Sequence, residues 1–234
     1  MIAKPWRRKS PTSQQYDGLR RRLLAEIAEE VATTKGYLGK AALDPRVTAA
    51  LAKVPRERFV PPESASAAYD NAPLPIGCGQ TISQPYIVAV MTDMLAPRPD
   101  DRVLEIGTGC GYQAAVLAEL VARVYSIEIE PTLSAAAARR LNELGYANVE
   151  LKVGDGALGW PEEAPFDGII VTAAAPQMPA ALAAQLKSGR RLVVPIGEAG
   201  GHQELMVVEK RADGSIEERV TLPVAFVPLR HSAG

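Results

Sequence analysis

Histidine and cysteine are almost missing from this 234-residue chain, with two of each: His202, His231, Cys78 and Cys110. No Cys-x-x-Cys pair or His cluster occurs, so a disulfide framework is excluded and no metal site is expected. A cysteine hydrolase would have few candidates for its base. Aromatic residues make up only 5%, so the core has to be built from Leu, Val, Ile and Ala. A formal net charge of −1 removes the electrostatic reason to expect a nucleic-acid backbone as partner. No apolar stretch follows the basic residues Lys4, Arg7, Arg8 and Lys9, so a secretory signal is not expected. The uncharged run 168–186 contains Pro176 and Pro179 and divides into a strand, a turn and a helix start, which argues against a membrane span.

What remains is ordinary globular composition, 47% hydrophobic and 23% charged, suited to one compact α/β domain with an N-terminal extension. Residues 1–13 are basic and hold Pro5 and Pro11, and are expected to form a disordered tail. Residues 14–100 are expected to carry N-terminal helices and an active-site loop, and residues 101–234 the core. Leu19, Leu23, Ile27 and Val31 recur every four residues, which predicts an amphipathic helix from Tyr16. A second helix follows Asp44, with Pro45 in its first turn and Pro55 at its end. Residues 63–85 show no regular period, yet Leu74, Ile76 and Ile82 make them too apolar for disorder, so they read as a packed loop. Helix resumes near Pro85 and stops near Pro97.

From residue 102 a regular alternation begins. Strands at 102–106, 123–127, 149–153, 167–172 and 191–196 alternate with helices at 112–120, 131–144 and 179–186, which predicts βαβ units and a buried parallel sheet. Between Ile196 and Glu204 the chain is too short for a parallel crossover, which needs about a dozen residues. Strands at 204–209 and 218–227 should therefore fold back on each other. The expected fold is a Rossmann-like, mostly parallel sheet closed by an antiparallel C-terminal meander.

The strongest local signal is Val103-Leu-Glu-Ile-Gly-Thr-Gly-Cys-Gly-Tyr112, where a strand gives way to a helix. Gly107 and Gly109 allow positive φ and a close ligand approach, and Gly111 lets the helix pack tightly. Tyr112 stands where a dinucleotide fingerprint has its third glycine, which counts against NAD. Glu105, at the strand's carboxyl end, would repel a pyrophosphate and suit an amino group or a sulfonium. Glu128 lies about twenty residues on, where an acidic side chain accepts ribose hydroxyls. Gly154-Asp155-Gly156 follows the third strand, and a short acidic turn there can accept from an exocyclic amine. Taken singly, Glu128 is a solvated strand-end carboxylate and Asp155 an Asp-Gly turn. Together with the glycine loop they describe an adenosyl ligand with a zwitterionic tail and no phosphate, S-adenosylmethionine.

The fourth strand leads into Val171-Thr-Ala-Ala-Ala-Pro176, which lacks the Asn/Asp-Pro-Pro-aromatic signature of enzymes that methylate base nitrogens. No dedicated base lies near the loop, which points to an acceptor already ionised at neutral pH, such as a carboxylate. Transfer to a carboxylate needs mainly positioning and exclusion of water. Ser83 stands at the edge of the helix that starts near Pro85, where a hydroxyl can either cap the helix or cradle a carboxylate.

The run Leu74-Pro-Ile-Gly-Cys-Gly-Gln-Thr-Ile-Ser-Gln-Pro-Tyr86 resembles the motif preceding the cofactor loop in protein-L-isoaspartate O-methyltransferases. So do Val54-Pro-Arg-Glu-Arg-Phe-Val60, the glycine loop, Gly154-Asp-Gly156, the segment 165–176 and Phe226-Val-Pro-Leu229. The resemblance spans residues 16–230. It implies methyl transfer from S-adenosylmethionine to the free α-carboxylate of isoaspartyl residues in damaged proteins and peptides, with repair following through a succinimide. On the same resemblance Ser83 is the catalytic residue that positions the acceptor. Thr81, Ile82, Ser83, Glu105, Gly107, Thr108, Gly109, Gly111, Glu128, Asp155 and Gly156 hold the cofactor, and Gln203 lines the substrate pocket. A cytoplasmic monomer without nucleic-acid or membrane partners is expected. The competing expectations are a small-molecule O-methyltransferase on the same scaffold and a cofactor-binding module without catalysis.

Overall fold

The computed structural model describes residues 11–231, so most of the tail expected over 1–13 lies outside the described residues. Helix α1 (Ser13–Thr33) starts earlier than the apolar spacing indicates, because Thr12 forms a capping box. The Thr12 hydroxyl accepts from the Gln15 amide at 3.4 Å, and the Gln15 side chain accepts from the Thr12 amide at 2.7 Å. Leu23, Ile27 and Val31 form its buried stripe. A short helix α2 (Lys35–Leu38) ends on the left-handed Gly39. Helix α3 (Pro45–Lys53) is capped by Asp44, whose carboxylate accepts from the Arg46 amide at 2.8 Å.

The packed loop expected over 63–85 contains more regular structure than its sequence suggests. A 3-10 turn covers Pro62–Ala67, and strands β1 (Leu74–Gly77) and β2 (Gln80–Ile82) form an antiparallel hairpin. Its turn runs through Gly77, Cys78 and Gly79, all at positive φ. Pro75, the two glycines and the shortness of the strands hide the alternation. Helix α4 (Pro85–Leu95) follows directly and is almost wholly buried.

The central sheet comprises β3 (Arg102–Ile106), β4 (Arg123–Glu128), β5 (Val149–Val153), β6 (Phe166–Val171), β7 (Leu186–Gly197), β8 (Gln203–Lys210) and β9 (Ile216–Val224), in the spatial order β5-β4-β3-β6-β7-β8-β9. The first five strands are mutually parallel; β8 and β9 run antiparallel as a meander. Helices α5 (Tyr112–Ala118), α6 (Pro131–Glu143) and α7 (Ala180–Ala184) make three of the crossovers, and β5 joins β6 through the 3-10 turns Gly156–Leu158 and Pro161–Glu163. α7 is shorter than the alanine-rich run predicts, and β7 begins at Leu186, not at 191, because Leu186 pairs with Phe166 and Arg190 with Lys210. Pairing on both sides overrides local propensity there.

Alternation along β3 sends Val103 into the core layer under α1, α3, α4 and α5, and Leu104 and Ile106 into the opposite layer with Trp160, Phe166 and Leu182. The chain leaves β3 towards β4 and later returns on its other side as β6. The carboxyl ends of β3 and β6 therefore flank the topological switch point, where open α/β sheets bind ligands. Among the described residues no helix is long and apolar enough to cross a membrane.

Candidate active site

Three backbone positions in the β3–α5 loop are left-handed: Gly107 at φ +95°, Gly109 at +52° and Gly111 at +88°. A Cβ on Gly107 would stand 2.5 Å from Thr172 Oγ1. That hydroxyl hydrogen-bonds the Gly107 carbonyl at 2.7 Å, so β6 holds the loop from one side. From the other side, Glu128 at the end of β4 accepts from the Gly109 amide at 2.7 Å and from the Glu130 amide at 3.0 Å. Gly156 closes the floor: a Cβ there would meet Ile106 Cγ2 at 2.3 Å. Its neighbour Asp155 caps the turn that follows, accepting from the Ala157 amide at 2.9 Å, and faces His231 Nδ1 at 3.3 Å.

These groups border two adjoining cavities. The first is walled by Gly107, Gly109, Glu128, Gly156, Thr172 and the segment Val227–Arg230. The second, of about 490 Å³, is walled by Ser83, Gln84, Ile87, Val224 and Phe226. Thr81, Thr172 and Val227 belong to both. Among the described residues no charged side chain lines the second cavity.

Thr81, Ser83, Gly107, Gly109, Glu128 and Gly156 thus come together at one crevice, with Asp155 beside it. Ile82, Thr108 and Gly111 stand behind the walls. Ile82 is 3% exposed in the core, Gly111 packs on Leu141, and Thr108 shares a 2.6 Å hydrogen bond with Ser126. Ser83 is not the cap of α4; Gln84 holds that position, with no side-chain cap bond.

Two further residues, Glu105 and Gln203, are set back from the cavity walls. Glu105 shares the Val103 face of β3, is fully buried, and lines neither cavity. The Ser126 hydroxyl donates to one of its oxygens; among the described residues the other makes no hydrogen bond of good geometry, although the Ala114 amide lies near the carboxyl. Burial lifts its pKa to about 8, helped by the nearby Glu128, while Ser126 and the Ala114 amide pull the other way. Gln203 is 3% exposed and sits behind the second cavity. Its amide accepts from the Phe226 N–H at 2.6 Å and donates to the Phe226 carbonyl at 3.2 Å, so it fixes the wall without being part of it. Sequence reading missed Thr172 and the cavity-lining role of Val227–Arg230. Thr172 follows a strand flanking the switch point, the signal that could have exposed it.

The raised Glu105 pKa has a measurable consequence. An unfolded glutamate ionises near 4.5 and the folded one near 8, so Glu105 favours folding at low pH and loses that contribution as pH rises through about 8. Urea denaturation between pH 5 and 9 should show stability falling by a few kcal/mol from this group, and Glu105→Gln should flatten the fall. Parallel curves for the two proteins would show that Glu105 ionises normally.

The donor set fits an adenosyl cofactor: bare backbone at Gly107 and Gly156 where a side chain would clash, a carboxylate at the end of β4, and hydroxyls from Thr81 and Thr172. Comparison with known proteins agrees. The family described as protein-L-isoaspartate(D-aspartate) O-methyltransferase matches residues 35–234. Protein-L-isoaspartate O-methyltransferase 2 of Syntrophobacter fumaroxidans is 55% identical over 214 residues, covering 92% of this chain and 87% of its own. Its namesake in Nitrosococcus oceani is 56% identical over 209 residues, covering 89% and 95%. A solved protein-L-isoaspartate O-methyltransferase superposes with a TM-score of 0.78 at 28% identity, covering 92% of this chain and 66% of that one. A Plasmodium falciparum structure in complex with S-adenosyl-L-homocysteine shares the fold at a TM-score of 0.74 and 21% identity, covering 93% and 99%. With the glycine loop, the Ser83 hairpin and the closing meander all in place, the chain belongs to the protein-L-isoaspartate(D-aspartate) O-methyltransferase family.

Proposed function

We propose that this chain transfers a methyl group from S-adenosylmethionine to the free α-carboxylate of L-isoaspartyl residues in damaged proteins and peptides. The observation that carries the reading is the wall shared by two cavities: Thr81 and Thr172 join a glycine-and-carboxylate side to a side bearing the Ser83 hydroxyl. When bound, S-adenosylmethionine supplies a methyl group on a sulfonium, which an anionic oxygen can take without a general base. Glu128 would accept the ribose hydroxyls, Asp155 and Gly156 would face the adenine, and the loop from Gly107 through Thr108 and Gly109 to Gly111 would take the amino-acid end. Thr81, Ile82 and Ser83 bring the hairpin to the transfer point.

Ser83 is the catalytic residue in this reading, holding the acceptor carboxylate by its hydroxyl, while Ile87, Val224 and Phe226 on the second cavity's wall would limit water at the reacting oxygen. Glu105 braces the loop from beneath and Gln203 braces the wall. The ester leaves more readily than a carboxylate, so the neighbouring backbone amide can close a succinimide, whose hydrolysis returns some normal aspartate. Residues 14–100 supply the acceptor loop and those from 101 onward the cofactor core, within one domain. The near-zero net charge offers no electrostatic pull towards nucleic acid, and two unpaired cysteines suit a reducing compartment, in keeping with a cytoplasmic protein.

A pair of synthetic peptides tests the assignment. The isoaspartyl peptide should gain one methyl group, read by mass, while its normal aspartyl twin gains none. Equal labelling of both, or of neither, would overturn the reading. Turnover of small carboxylic acids alone would favour the small-molecule alternative.

A further inference from the structure

Arg56 lies in the 3-10 turn Arg56–Arg58 after α3, and its residue is fully buried. Its Nε donates to the Ala68 carbonyl at 2.9 Å and its Nη2 to the Ser83 carbonyl at 2.8 Å. The Tyr112 ring lies 4.8 Å from Cζ. Among the described residues Nη1 makes no hydrogen bond of good geometry, although the Tyr112 hydroxyl is close enough to interact with the guanidinium, and no carboxylate forms an ion pair with it. Buried charges are ordinarily paired, because leaving one alone costs far more than leaving a polar group alone. Burial is also the first cause of a lowered Arg56 pKa, yet arginine keeps its proton inside proteins.

The hydrogen bond to Ser83 fixes more than a carbonyl. In a planar trans peptide the C=O and the following N–H point in opposite directions. With the Ser83 carbonyl turned towards Arg56, the Gln84 N–H is aimed away from it, and Ser83 and Gln84 both wall the second cavity. Among the described residues the Gln84 amide has no acceptor. A hydrogen bond from a charged donor to the carbonyl also polarises that peptide and strengthens its N–H as a donor.

We propose that Arg56 is a positioning residue for the acceptor carboxylate: it locks the Ser83–Gln84 peptide so that the Ser83 hydroxyl and the Gln84 amide serve one anion, and its unpaired charge makes that subsite select an anion over a neutral group. This rests on the reading of Ser83 as the carboxylate-holding residue. Methyl transfer from a sulfonium to a carboxylate cancels both charges, so a fixed cation behind the subsite acts mainly on binding. Its signature is in KM more than in kcat.

The test compares Arg56→Lys, which keeps the charge, with Arg56→Gln, which keeps a donor for the Ser83 carbonyl and removes the charge. For each, calorimetry with S-adenosylhomocysteine reports an intact core. Kinetics then give KM for the isoaspartyl peptide, and competition gives the affinity of the same peptide with its α-carboxylate replaced by a carboxamide. R56Q should raise KM on the order of tenfold or more while the carboxamide affinity stays within about threefold, and R56K should retain the wild-type preference for the carboxylate. Equal loss for both peptides in R56Q, or a preference that is unchanged, would make Arg56 a structural residue only. If R56Q does not bind S-adenosylhomocysteine, R56K decides: preference retained supports the proposal, preference lost overturns it. A wild-type protein that methylates neither peptide would instead remove the underlying assignment, a result separate from all of these.

Discussion

Replacing Ser83 by alanine is expected to lower turnover of an isoaspartyl peptide about 100-fold, the cost of losing one positioning contact on a reacting oxygen, while S-adenosylhomocysteine affinity stays within about threefold. The structure makes the two effects separable. Ser83 lines the second cavity, whereas the first is bounded by the glycine loop, Glu128 and Gly156. The hydroxyl does not cap α4, a role that falls to Gln84, so its removal should leave thermal stability near wild type, without the roughly 1 kcal/mol penalty of a lost cap. Single-turnover methylation with calorimetric control measures both quantities. Unchanged turnover would reduce Ser83 to a wall residue and detach the acceptor from the hairpin.

The second large effect belongs to Glu128. Glu128→Ala should weaken S-adenosylhomocysteine binding at least 100-fold, for two reasons that act together. Hydrogen bonds to a charged acceptor contribute about 1.5–3 kcal/mol each, and each 1.4 kcal/mol is about a factor of ten. The same carboxylate also accepts from the Gly109 and Glu130 amides, so the alanine variant loosens the loop it should help to present. Glu128→Gln retains an acceptor and should recover part of the loss. Calorimetry reads the series directly, and an unmoved dissociation constant for the alanine variant would displace the ribose from the end of β4.

The parallel part of the fold was legible because each strand carries its own apolar run and each crossover its own helical spacing. The antiparallel end was legible from chain length alone, since the link between Ile196 and Glu204 could not carry a crossover. The hairpin at 74–82 was not, because strands of four and three residues carry too little period to distinguish from a loop. Glu105 shows a different limit. Its place two residues before Gly107 sets it near the crevice, but its side direction is shared with Val103 and delivers it into the core beneath α5. Position along a strand is written in the sequence; which face meets the ligand is decided by what packs on the sheet. Gln203 is set back in a similar way: its neighbour across 23 residues, Phe226, forms the wall that Gln203 secures.

The segment that completes the cofactor cavity, Val227–Arg230, belongs to none of the seven strands. It is moored through the Ala174 amide to the Val227 carbonyl at 2.8 Å, the Leu229 amide to the Ala174 carbonyl at 2.7 Å, and the grip of Gln203 on Phe226. Excising residues 227–230 should remove this ledge while sparing the sheet beneath it. The trimmed protein would keep its far-ultraviolet dichroism and its melting cooperativity, yet offer the nucleoside an open shelf in place of a closed slot.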